Sequence, residues 1–272
     1  MHPTPSAAAQ AAADPRWQEA ADLLLQHWQR GAHCAGLPAA CRPADRAEGY
    51  AVQRELVRRS GDSVAGWKIA ATSTAGQQHI GVDGPLAGRL RASRLAGAGA
   101  TVSLAGSRMG VAEAEFAFRF GQRLAPRAEP YRQDEVMAAV DTLHPAIELP
   151  DSRFEDFVHA GAPQLIADCA CANWLVVGPA VMVPWRGIDL AAHAVRFDID
   201  DRPVATGQGA NVLGDPRIAL TWIVNELSRY AEGVFVGDLV TTGTCVVPVP
   251  IAPGQRLRVD YGVLGSLSAT LA

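Results

Sequence analysis

Apolar residues recur along this chain with two periods, and the change from one to the other divides it. Trp17, Ala21, Leu24, Leu25 and Trp28 share one helical face. Asp14-Pro15 supplies an N-cap and a first-turn proline, and Gly31 a stop, so the pattern predicts a helix. A Pro-, Cys- and Ala-rich link leads to a second predicted helix over about 44–59, closed by Gly61. Residues 14–62 thus read as an N-terminal helical cap on a body spanning 63–272. The body reads mainly as strands, at 64–70, 111–120, 146–149, 174–183, 194–199, 238–247 and 256–261. Two helices interrupt them. One spans 133–143, with Val136, Val140 and Leu143 on one stripe; the other opens at Asp215-Pro216 and ends at Gly233. Strands outnumber helices and do not alternate with them. That favours an α+β body with a mixed sheet over a doubly wound parallel one.

Composition narrows the function classes. A chain of 272 residues, 49% hydrophobic and 19% charged, can bury a sizeable core. A net charge of -4 leaves no basic footprint, so no nucleic-acid partner is expected. No apolar run approaches the roughly 20 residues that cross a bilayer, so no membrane partner is expected either. Residues 1–13 are Ala-rich without a basic start, which reads as a disordered leader rather than a signal peptide. Five scattered cysteines (Cys34, Cys41, Cys169, Cys171 and Cys245) describe no disulfide framework, and a cytoplasmic location is the expectation. Cys169 and Cys171 read as small buried hydrophobes, since no second pair or nearby histidine completes a zinc site.

The most informative segment is VAEAEFAFRF at 111–120. Alternate strand residues share a face, so Glu113 and Glu115 point the same way, opposite Phe116, Phe118 and Phe120. On a solvated face such a pair does nothing. In a cleft its repulsion calls for a cation, and a hard divalent ion with oxygen ligands fits. Glu148, in HPAIELPDSR between two prolines, faces away from Ile147 and Leu149 and offers a third carboxylate. Three carboxylates from two strands suit Mg2+ or Mn2+ and leave positions for substrate and water. GWKIAATS places Lys68 inside an apolar strand, either snorkelling to solvent or serving as a fixed cation, with Thr72 and Ser73 at the strand end. GVDGPLAGRL carries Asp83 in a Gly/Pro-rich turn. Gly207, Gly209 and Gly214 do not fit the dinucleotide fingerprint. Thr241-Thr242-Gly243-Thr244 is either strand filler or a polar pocket wall.

In order, GWKIAATS, GVDGPLAG, EAEFAF, PAIELPDSR, IADCAC, GANVLGDP and GDLVTTG resemble the 2-keto-4-pentenoate hydratase and 4-oxalocrotonate decarboxylase family, a branch of the fumarylacetoacetate hydrolase superfamily. The resemblance runs from about residue 50 to the C-terminus. It implies a mixed β-roll with peripheral helices and a divalent metal held by Glu113, Glu115 and Glu148. It makes Lys68 and Asp83 the catalytic pair, with either order of acid and base. Thr72, Ser73, Asp168, Thr242 and Gly243 fall in segments that line the substrate pocket. Two departures matter: where these hydratases often read D-N-A-S, this chain reads Asp168-Cys169-Ala170-Cys171, a thiol in place of a hydroxyl, and Ala70-Ala71 rather than a Gly-Leu pair precedes Thr72-Ser73, a slight change of pocket shape.

The implied activity is addition of water to a 2-hydroxy-2,4-dienoate, giving a 4-hydroxy-2-oxo acid. Decarboxylation of a 4-oxalocrotonate-type 2-oxo acid uses the same enolate stabilisation and is the alternative. An acylpyruvate C–C hydrolase is third, because superfamily hydrolases usually carry a histidine where this chain has Met109-Gly110-Val111-Ala112. A non-catalytic partner in a hydratase–decarboxylase complex is the fourth reading. A homo-oligomer is also expected, from the resemblance and from three tryptophans that look exposed, Trp174, Trp185 and Trp222.

Overall fold

A computed structural model describes residues 14–272. The expected leader, 1–13, lies outside them. Helix α1 (Pro15–Arg30) starts where the Asp14 carboxylate accepts the Arg16 amide and ends at Gly31, whose φ is 60°. Helix α2 (Arg46–Ser60) starts on Asp45, which accepts the Glu48 amide, and stops at Gly61. Both helices bury their apolar face in the same core as the strands. Gln53 of α2 donates to the carbonyls of Ala87 and Ile166 and so stitches the cap to the body.

The strands follow in chain order: β1 (Val64–Ala70), β2 (Leu86–Arg91), β3 (Leu95–Gly97), β4 (Thr101–Val102), β5 (Val111–Phe120), β6 (Val140–Leu149), β7 (Trp174–Val177), β8 (Ala194–Ile199), β9 (Arg202–Gln208), β10 (Leu239–Thr244), β11 (Val249–Pro250), β12 (Arg256–Asp260) and β13 (Ser266–Leu271). Helix α3 (Thr74–His79) joins β1 to β2; α4 (Gln133–Ala139) precedes β6; α5 (Ala162–Ala167) precedes β7; α6 (Pro216–Arg229) precedes β10. Among the described residues they form two sheets. One runs β2-β1-β10-β5-β6-β7-β3, with β11 also on β5, and the other β4-β13-β12-β8-β9. The first is mixed: β1 and β10 are parallel, whereas β10, β5, β6 and β7 are successively antiparallel. The expected α+β class with a mixed sheet is what forms.

Several expected elements shift. The helix at 133–143 stops at Ala139, and Val140 and Leu143 lie in β6 opposite Phe120 and Phe118. A three-residue stripe suits either period. Pro145 disfavours helix at the residue before it, and β5 offers a partner along nearly its whole length. The strand at 174–183 ends at Val177, just before Gly178-Pro179. GVDGPLAGRL is a turn only in its first half; from Leu86 it is β2. Residues 202–208, where no strand was expected, form the exposed edge strand β9. Trp185 is core rather than surface, edge-on to Phe118, while Trp174 and Trp222 are half-buried.

Candidate functional site

The β5–β6 register sets Glu113 directly against Glu148, and Glu115 against Ala146. Two residues apart on β5, Glu113 and Glu115 share a face, so three carboxylates converge. One oxygen from each lies within 4.8 Å of the others. Glu115 and Glu148 are fully buried. Like charges opposed across a ladder repel, and burial sharpens the cost. Burial, with the Glu148 charge added, pushes the Glu113 carboxyl up to about 7 and holds Glu115 well above the ordinary range.

Lys68 closes the cluster. Its Nζ lies 3.1 Å from Glu148 Oε1 and donates to the Ala170 carbonyl at 3.0 Å. Three strand steps separate β1 from β6. Strands in a flat sheet lie about 4.8 Å apart, which would hold those backbones about 14 Å from each other. A direct Lys68–Glu148 contact therefore requires the sheet to curl into a roll. Burial would lower the Lys68 pKa, but Glu148, Glu113 and Glu115 outweigh it and hold the ammonium above its usual value.

The curl is visible in β10, where the register against β5 slips between Thr241 and Thr244. At the slip Gly243 has φ 103°, and a Cβ there would meet Thr72 Oγ1 at 2.0 Å. Only glycine admits both the angle and the approach. The Gly243 amide donates to Glu115 Oε2 at 2.9 Å and fixes one side of that carboxylate. Tyr261 buttresses the cluster from behind. Its hydroxyl lies 2.7 Å from the Glu115 carbonyl and 3.2 Å from that of Ala146.

The site residues expected from sequence thus fall into two groups. Glu113, Glu115, Glu148 and Lys68 come together; Gly243 touches them, and Thr72 packs on Gly243. The others point elsewhere. Asp83 is at the surface with an 87% exposed side chain, bound by Arg46 at 2.8 Å, and this pair holds its carboxyl below the usual range. Ser73 caps α3 through the Gly76 amide, and Thr242 donates to the Phe116 carbonyl. Asp168 is buried and accepts from Trp28 Nε1, Ser152 Oγ and the Arg153 amide. Burial pushes the Cys171 thiol up to about 12, so it stays protonated. Sequence reasoning missed Tyr261 and the Ala170 carbonyl. The first is one aromatic among many and the second carries no side-chain signal.

The buried oxygens of the cluster fit a hard cation. Glu115 Oε1 and both Glu148 oxygens have no hydrogen-bond partner among the described residues. Buried carboxylate oxygens rarely stay unsatisfied, and an all-oxygen set suits a divalent ion of the Mg2+ class. A surface cavity of about 780 Å3 between α6 and residues 126–133 shares no residue with this cluster.

Residues 73–272 match the family described as fumarylacetoacetate (FAA) hydrolase C-terminal. The chain belongs to the fumarylacetoacetate hydrolase family. It is 32% identical over 92% of its length to a 2-keto-4-pentenoate hydratase of Paraburkholderia xenovorans, of which the alignment covers 93%. It is 31% identical over 82% to a 4-oxalocrotonate decarboxylase of Pseudomonas putida, 84% of which is covered. The fold superposes with a TM-score of 0.85 and 27% identity on a 4-oxalocrotonate decarboxylase from Pseudomonas putida G7 complexed with magnesium and adipate, covering 95% of this chain and 98% of that one. The roll is therefore of the fumarylacetoacetate hydrolase type, and the chain's relatives in that family include hydratases and decarboxylases.

Proposed function

We propose that this family member is a metal-dependent hydratase that adds water to a 2-hydroxy-2,4-dienoate of the 2-keto-4-pentenoate type, giving a 4-hydroxy-2-oxo acid in aromatic catabolism. The carrying observation is the constellation of three convergent carboxylates with one lysine at 3.1 Å. Glu113, Glu115 and Glu148 would hold Mg2+ or Mn2+. The ion would supply Lewis-acid stabilisation of the negative charge that develops on the substrate's O2.

The chain's own groups do the rest. An ammonium has three N–H donors. The Ala170 carbonyl takes one on Lys68, and Glu148 draws the ammonium as an ion pair at 3.1 Å, which leaves an N–H for the substrate. Held protonated, Lys68 is an acid: it gives its proton to the terminal carbon C5 as the enol proton leaves O2 for solvent. The product of that step is an α,β-unsaturated ketone, electrophilic at C4. The neutral amine then takes a proton from the water attacking C4, and a solvent proton returns to C3. One water is consumed and Lys68 ends as it began. Asp83, exposed and paired with Arg46, takes no part in this sequence.

The closeness of fold to a decarboxylase keeps that activity as the second reading. Its substrate is a dicarboxylate, whose second charge needs a second cation. Among the described residues, Lys68 is the cation that reaches the acidic cluster within salt-bridge distance. Thr72, Gly243 and a protonated Cys171 add no second positive charge beside it. A single cation favours a monocarboxylate. The test is turnover of 2-hydroxypenta-2,4-dienoate against 2-oxohex-3-enedioate, with and without Mg2+. Faster CO2 release from the second substrate would replace hydratase with decarboxylase.

Association with a second copy, or with a partner decarboxylase or hydratase, belongs to the same proposal. Val247, Val263 and Val236 are 79%, 70% and 68% exposed, apolar surface of the kind that interfaces cover. No helix of the described residues is long and apolar enough to cross a membrane. A cytoplasmic location is part of the proposal.

A further inference from the structure

Three consecutive non-glycine residues, Cys169, Ala170 and Cys171, have φ of 52°, 50° and 63°. L-residues visit this left-handed region singly, because Cβ crowds the following carbonyl. A run of three persists only where its surroundings over-determine it. Two features do so here. Asp168, at the head of the turn, is pinned by the Trp28 indole at 3.0 Å, the Ser152 hydroxyl at 2.9 Å and the Arg153 amide at 2.7 Å. Gly88 lies opposite Lys68 in the β1–β2 register, and a Cβ there would stand 1.8 Å from the Cys169 carbonyl oxygen. The missing side chain on β2 is the space into which the turn sinks. The outcome is that the Ala170 carbonyl meets Lys68 Nζ at 3.0 Å.

We infer that residues 168–171 are a positioning device for Lys68, anchored on Trp28 of the helical cap and seated in the space left by Gly88. The cap thereby sets turnover without touching substrate. A lysine stem has four rotatable bonds and costs entropy to fix. The Glu148 charge draws the ammonium toward the cluster at 3.1 Å, the Ala170 carbonyl fixes one N–H at 3.0 Å, and the two together orient the rest of the head. Trp28 itself packs against two guanidinium groups, Arg91 at 3.6 Å and Arg153 at 5.5 Å from its ring. Its indole position is thus stiff enough to transmit a constraint. The inference rests on Lys68 being the proton donor proposed above.

Lys68 is the only lysine in the sequence, so isotope-labelled lysine yields one ammonium signal. Its proton exchange with water, read by NMR, reports the restraint independently of catalysis. Trp28→Phe keeps a ring against the arginines and deletes the donor to Asp168. It is expected to speed ammonium exchange and to lower kcat by about tenfold or more, the scale of small misplacement, with KM within about twofold. Ala170→Gly covers the case in which Trp28→Phe does not fold. Glycine takes a φ of 50° without strain, so thermal stability should hold or rise while the carbonyl loses definition and kcat falls. A merely structural turn would move stability and activity together. Wild-type exchange and kcat in a folded variant of either kind would overturn the positioning role. Faster exchange in the variants, with no dienoate turnover by the wild type, would instead overturn the proposed function and leave the positioning intact.

Discussion

Glu113 and Glu148 are register partners across β5 and β6, so two carboxylates face each other where a sheet would ordinarily pair opposite charges or apolar groups. Without a cation this opposition destabilises the fold. Glu113→Gln should then raise metal-free stability by about 1 kcal/mol. Excess Mg2+ should reverse the order, since a ligand at a hundredfold its Kd adds about 2.7 kcal/mol to the form that binds it. Calorimetric titration of Glu115→Gln should show at least tenfold weaker Mg2+ binding with the fold intact; unchanged affinity would place the ion elsewhere.

Lys68→Met keeps the stem and deletes the ammonium. Turnover should fall by about 10²-fold or more, the loss typical of a positioned acid–base group. Glu148 loses its partner, so the metal-free variant should melt earlier and Mg2+ should restore much of the difference. Lys68→Arg keeps the charge but not the compact proton donor, and recovery of turnover by arginine would reduce Lys68 to an electrostatic anchor.

Asp168 titrates abnormally. Burial pushes its carboxyl up to about 6 from 3.8, more than Arg153 and the three donors pull it down. A raised folded value means that the folded state binds the extra proton. Its stabilising contribution is complete below 3.8 and lost as pH rises through about 6. Asp168→Asn has no such proton. The stability advantage of wild type over this variant, measured by chemical denaturation from pH 4 to 7.5, should shrink with rising pH and level off above about 6.5. A difference that grows with pH would contradict the assignment.

Asp83→Asn provides the converse control. An exposed side chain paired only with Arg46 contributes less than about 1 kcal/mol, and its loss should leave kcat within about twofold of wild type. A large fall in kcat would bring Asp83 into the chemistry through a conformation in which residues 71–85 move.

Sedimentation at micromolar concentration should show an assembly larger than one chain. A monomer would leave the exposed valines at 236, 247 and 263 without a partner and withdraw the oligomer proposal.

What the sequence disclosed depended on period and spacing. Glu113 and Glu115 were legible because strand alternation fixes their common face whatever surrounds them, and Glu148 because it alternates with Ile147 and Leu149, although its strand, expected at 146–149, runs from Val140 through Pro145. Lys68 stood out as a charge inside an apolar run. The departures from expectation share one cause, which is competition from distant segments. Val140 and Leu143 carry a helical stripe, yet β5 claims them as strand. Asp168 resembled a pocket residue by its place in a motif, whereas its partners lie 140, 16 and 15 residues away and spend its lone pairs on structure. Asp83 sits in a recognisable turn, but Arg46, 37 positions earlier, draws it to the surface. Contacts of that range leave no periodic trace.

The grip on Glu115 comes from far downstream: Gly243 is 128 residues away and Tyr261 is 146. Pairing of β5 with β6 already sets Glu113 against Glu148. The Gly243 amide and the Tyr261 hydroxyl reach Glu115 only when β10 and the turn after β12 are in place. Long-range closure of this kind is slow. A divalent cation held by the three carboxylates would then act as a latch on that closure.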